Sequence, residues 1–86
     1  MKISELIKII KTKIQSEIEV EKIIIQDKSF LHKNHEGNQA GKFHIKISIK
    51  SKQLVKMNKV EANKKIYKVL SNEMNSFIHS LQILIS

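Results

Sequence analysis

At 86 residues the chain has room for one domain, residues 1–86, and one small core, since a chain of this size buries about 60–65% of its unfolded surface. With 41% hydrophobic and 28% charged residues its composition is globular, and without cysteine it holds no disulfide, thiolate metal site or cysteine nucleophile, which leaves the redox compartment unread. The net charge is +8 and all sixteen basic residues are lysine, so attraction to phosphate is diffuse and the bidentate fork of arginine is missing.

The first element is an amphipathic helix over residues 3–15. Ile3, Leu6, Ile7, Ile10 and Ile14 follow the spacing of one helix face, while Lys8, Lys11 and Lys13 point away from it as a solvated face. Residues 18–26 are a strand built on Ile23-Ile24-Ile25, a β-branched run that does not say which of the three isoleucines points inward. Residues 27–42 form a connection too long for a hairpin. It carries Ser29, His32, Asn34, His35, Gly37, Asn38 and Gly41, which are turn formers and polar ligands, and a connection of this length in so small a domain suggests a site.

The clearest signal follows. In Phe43–Lys50 the apolar set Phe43, Ile45, Ile47 and Ile49 alternates without a miss against His44, Lys46, Ser48 and Lys50. That is a strand with one face in the core and one in water. Residues 50–58 are lysine-rich and irregular, anchored by Leu54 and Met57. Residues 61–75 are a helix with Ala62, Ile66, Val69, Leu70 and Met74 on one stripe, ended by Asn75-Ser76. Residues 77–86 are a third strand in which Leu81, Ile83 and Ile85 alternate with polar positions and Leu84. His79 shares the parity of the apolar set at the strand's start. Apolar helix stripes facing one sheet make a two-layer α/β sandwich, with the last strand parallel to a neighbour because it follows a helical crossover.

Catalytic patterns are absent. Gly37 and Gly41 are the only glycines, so there is no phosphate-cradling loop, and no nucleophile elbow or paired carboxylates appear; the chain reads as a non-enzyme. Four histidines are present, His32 and His35 in the long connection, His44 on the wet side of the central strand and His79 at the start of the last. Imidazole is a common metal ligand, but a site closed by four histidines alone is a minority pattern. His79 is also readable as a strand-edge residue bonded to backbone, and His32 as a solvated loop residue.

Over nearly its whole length the chain resembles the BolA-like protein family. The matching features are the N-terminal helix; Asp27-Lys28-Ser29 followed by His32; and Gly41-Lys42-Phe43 leading into the alternating strand. Further along come Ile66-Tyr67 with Leu70, Glu73 and Met74, and then Ile78-His79-Ser80-Leu81, which resembles the family's Val/Ile-His-Ala-Leu. The chain departs from the family where Ala62-Asn63-Lys64 stands in place of Arg-His-Arg, and Leu54 in place of phenylalanine.

The resemblance implies an αββααβ fold similar to class II KH domains, with a three-stranded mixed sheet. It also implies partnership with a monothiol glutaredoxin and a [2Fe-2S] cluster shared with that partner and glutathione, serving iron–sulfur cluster assembly, trafficking or iron sensing. In that picture His79 is a cluster ligand and His32, with His35 as backup, supplies the loop ligand. A [2Fe-2S] centre accepts histidine in place of cysteine on one iron. A neutral imidazole is required, so binding should weaken as pH falls through the histidine range.

The alternative is a nucleic-acid-binding transcriptional or stress regulator with a basic helix-turn-helix-like surface of Lys50, Lys52, Lys56, Lys59, Lys64, Lys65 and Lys68. Against it stand the missing arginine, the few aromatics and the absence of a Gly-x-x-Gly clamp. No apolar run approaches the ~18 residues of a membrane span and the lysine-broken N-terminus does not read as a signal peptide. The expected location is cytoplasmic, or an organelle matrix where a transit peptide has been removed. The expected free state is a monomer.

Overall fold

Phe43–Lys50 forms β2, the central strand of a three-stranded sheet with the order β1-β2-β3. The molecule is a computed structural model that describes residues 2–29 and 42–86. β1 (Lys22–Asp27) pairs antiparallel with β2, and β3 (Ile78–Ile85) pairs with it in parallel. The expected mixed sheet is therefore present. Ile45, Ile47 and Ile49 face inward and are buried, as their alternation requires.

α1 (Ile3–Glu17) packs against β1 and contributes Leu6, Ile10 and Ile14, all fully buried. They lie three to four residues apart because the helix repeats every 3.6 residues. On β1, Ile23 and Ile25 pack on the core and Ile24 is 45% exposed on the other face. The register sets this choice, since Ile24 pairs with Ser48, a member of the outward set of β2.

The lysine-rich stretch after β2 contains a short helix, α2 (Lys52–Val55), the first of the helical elements that the αββααβ order expects between β2 and β3. The buried Ser51 starts it: its hydroxyl accepts from the Leu54 N–H at 3.2 Å and donates to the Glu19 carbonyl at 2.6 Å. The next helix begins earlier than expected, at Lys59, because the Asn58 side chain caps it by accepting from the Glu61 N–H at 2.8 Å.

The same helix is also broken in two, α3 (Lys59–Val69) and α4 (Ser71–Ser76), with Leu70 between them at φ −100° and ψ 18°. Leu70 is fully buried there, its N–H bonded to the Ile66 carbonyl and its own carbonyl accepting from Met74. The bend turns α4 so that Glu73 is buried, with its Oε2 accepting from Lys13 Nζ of α1 at 2.8 Å. Helices on one sheet face complete the two-layer sandwich, and no helix among the described residues is long and apolar enough to cross a membrane.

Candidate functional site

One end of the sheet gathers three chain segments. β1 leaves there through an Asx turn, with Asp27 Oδ1 accepting from the Ser29 N–H at 2.9 Å. The two residues after β1 are fastened to the start of β2. Lys28 N–H donates to the His44 carbonyl at 2.7 Å, and His44 N–H donates to Ser29 Oγ at 3.1 Å. The junction of α4 and β3 reaches the same end, where Phe43 N–H donates to the Phe77 carbonyl at 2.8 Å. Residues 29 and 42, which flank the segment carrying His32 and His35, therefore stand at the same end of the sheet as the start of β3, residue 29 against His44 and residue 42 next to Phe43. His32 and His35 themselves lie outside the described residues.

The pairing of β2 with β3 slips at this end. Phe43 pairs with Ile78, but His44 pairs with Ser80, so His79 is an extra residue with no partner on β2. Such a bulge re-aims one side chain and restores the pattern beyond it. Ile78 takes the core position, 2% exposed, and His79 comes out to the surface. Simple alternation had put His79 in the apolar set; the slip removes it.

His44 also departs from expectation. It belongs to the outward set of β2 with Lys46, Ser48 and Lys50, yet it is 5% exposed rather than wet. The His79 ring packs on it edge-to-face, centroids 4.9 Å apart and planes inclined by 63°. His44 Nδ1 lies 2.6 Å from Ser80 Oγ, a hydrogen bond whose direction depends on the tautomer. The site is therefore an imidazole pair, one ring sheltered and one at the surface. A shallow depression of about 440 Å³ lies beside it, lined by Lys28, His44, Lys46, Ser80 and Gln82 among others. Alternation along β2 gives no reason to shelter His44, since its parity puts it on the wet face.

Among the described residues no group of three or more histidine, aspartate or glutamate side chains converges to hold a metal ion. The imidazole pair alone cannot fill the coordination of a metal cluster, so any such group would draw its remaining ligands from elsewhere.

The lysines of the nucleic-acid alternative do not form one stripe. Lys50 and Lys52 lie 3.9 and 3.7 Å from the Glu21 carboxylate, at the end of the sheet far from His79, with Lys56 nearby. Lys65 and Lys68 line a separate groove with Lys13, Ser16 and Glu17, between α1 and α3. Lys59 and Lys64 are exposed on α3. Asn63, where the family resemblance has histidine, donates from Nδ2 to the Lys59 carbonyl at 2.7 Å.

A helix-backed mixed sheet with an exposed histidine bulged out at the start of its parallel strand defines a small mixed α/β domain. Comparison with known proteins gives its family. The family described as BolA-like protein matches residues 14–86, and the chain belongs to it. It is 33% identical over 75 residues to the DNA-binding transcriptional regulator BolA of Haemophilus influenzae, covering 87% of this chain and 70% of that protein. It is 31% identical over 74 residues to the chloroplastic protein BOLA1 of Arabidopsis thaliana, covering 83% of this chain but 46% of that longer protein.

Solved structures agree on the fold. The BolA domain of SufE1 from Arabidopsis thaliana superposes with a TM-score of 0.77 at 22% identity, covering 100% of this chain and 93% of that one. BolA1 from the same plant gives 0.73 at 28% identity, covering 88% and 83%.

Proposed function

We propose that the chain is a non-catalytic adaptor that pairs with a monothiol glutaredoxin and shares a [2Fe-2S] cluster with it. The observation that carries this reading is His79, bulged out of β3 at the end of the sheet where residues 29 and 42 flank the His32 segment. A strand holds the backbone of such a residue more firmly than a loop would. The donor set fits a shared group: the chain offers histidine nitrogen and no thiolate, and histidine replaces cysteine on one iron of such clusters. In this reading His79 is one ligand and His32 the second, with His35 as its substitute, while the glutaredoxin cysteine and glutathione serve the other iron. The cluster supplies electron and iron–sulfur transfer when bound; the chain's own residues hold and orient the ligand nitrogen.

The test is anaerobic reconstitution of the chain with a monothiol glutaredoxin, followed by visible absorption and circular dichroism. The heterodimer spectrum should change or be lost in His79→Ala and in His32→Ala. If both variants give the unaltered heterodimer spectrum, the ligand assignment is wrong.

The second reading, nucleic-acid binding, is favoured by the 33% identical relative named as a DNA-binding transcriptional regulator. Its residues are Lys50, Lys52, Lys56, Lys59, Lys64, Lys65 and Lys68. Their division between separate surfaces, with Glu21 and Glu17 among them, predicts weak binding that salt abolishes. Electrophoretic mobility shifts on a promoter fragment and on random duplex decide it. Sequence preference surviving moderate salt would support specific recognition, and equal loss on both would remove it.

A further inference from the structure

We infer that His44 is a positioning residue that fixes the side chain of His79 for ligation. Three observations converge. The bulge leaves His79 without a register partner on β2, and among the described residues its side chain meets a ring rather than a hydrogen-bond partner. An exposed side chain so released would sample several rotamers. What it meets is the His44 ring, 4.9 Å away between centroids in an edge-to-face arrangement, a geometry aromatic rings favour. The His44 ring is itself held: it is 5% exposed, and its Nδ1 is 2.6 Å from Ser80 Oγ.

The chain order makes this economical. Ser80 is the register partner of His44 and also the neighbour of His79 in sequence, so the residue that ends the bulge also pins the ring that backs the bulged side chain. Removing a group that orients a metal-ligating histidine commonly costs about 10–100-fold in metal affinity. Here the orientation comes through ring packing on His79, not through a hydrogen bond to it. The shape of the buried ring therefore matters more than its nitrogens.

This inference rests on the ligand reading of His79, and its test separates the two. The first measurement needs no cluster. In the isolated, isotope-labelled chain, the His79 χ1 scalar couplings and ring relaxation report whether its side chain keeps one rotamer. Native protein should show one rotamer, His44→Ala should show averaging, and His44→Phe, which keeps a ring without ring nitrogens, should restore it. Ser80→Ala should loosen both rings.

The second measurement is cluster affinity in the heterodimer with a monothiol glutaredoxin. It should fall about tenfold or more in His44→Ala and recover to within about threefold of native in His44→Phe. A His79 rotamer as well ordered in a folded His44→Ala as in native protein overturns the inference. So does a folded His44→Phe that is as defective as alanine. If instead His79→Ala leaves the heterodimer spectrum unchanged, the ligand reading falls, while the rotamer result still stands as a property of the chain.

Discussion

The ion pair between Lys13 and Glu73 joins the first helix to the short helix that delivers His79, and breaking it gives a sharp test. Glu73 Oε2 accepts from Lys13 Nζ at 2.8 Å, and Oε1 is buried with no hydrogen-bond partner among the described residues. The two ends differ in exposure: the Glu73 side chain is 8% exposed and that of Lys13 38%. A solvent-exposed pair contributes about 0–1 kcal/mol, because water screens it and ordering two side chains costs entropy. Removing one partner of a fully buried pair costs about 3–5 kcal/mol, because the other charge is left without compensation.

Water reaches the ammonium here but hardly the carboxylate, so Lys13→Met should cost an intermediate amount, about 2 kcal/mol. In a domain of this size that lowers the melting temperature by about 8–16 °C. Glu73→Gln keeps the side-chain volume and leaves unpaired only the Lys13 ammonium, which water reaches, so it should cost less, about 1 kcal/mol. The double variant should be less destabilised than the sum of the two, since neither charge remains. Thermal and urea unfolding of all four proteins complete the cycle. Additivity within about 0.5 kcal/mol would refute the coupling. So would a Lys13→Met variant as stable as native protein. The Glu73 carbonyl accepts from the Phe77 N–H at 2.8 Å, so the amide signals of Phe77 and Ile78 should move in Lys13→Met as well.

Ile47 is fully buried at the centre of the sheet, and Ile47→Ala should cost about 2–5 kcal/mol in urea unfolding, by lost transfer energy plus the cavity left behind. Ser51→Ala removes both the cap of α2 and the donor to the Glu19 carbonyl; it should cost about 1–2 kcal/mol, with hydrogen exchange rising first in residues 52–55. Ile24→Lys should leave stability within about 0.5 kcal/mol, whereas Ile25→Lys, one residue on and facing the core, should cost several-fold more; equal effects in thermal melts would contradict the β1 register.

Much of this architecture can be read along the chain, because hydrophobic periodicity is local. Phe43–Lys50 alternates as a half-buried strand must, and the stripe of Leu6, Ile10 and Ile14 is the buried face of α1. Ala62, Ile66 and Leu70 are buried as their spacing requires. The start of α3 is legible too, in Asn58 followed three residues later by Glu61, a local capping signal. The buried Glu73 was not legible. A carboxylate goes inside only where a cation from another element meets it, and Lys13 is 60 residues away.

The candidate site divides along the same line. Residue order alone puts His79 at the start of a strand, within Ile78-His79-Ser80-Leu81, and a long polar segment ahead of the central strand. Which way His79 faces and what supports it come from the folded chain. Side-chain direction in a strand follows pairing register, and a one-residue slip reverses it. The slip between Phe43 and His44 sends Ile78 inward, brings His79 out and sets it against the sheltered ring of His44. Register is fixed by contacts between residues more than thirty positions apart, and no local pattern carries that information.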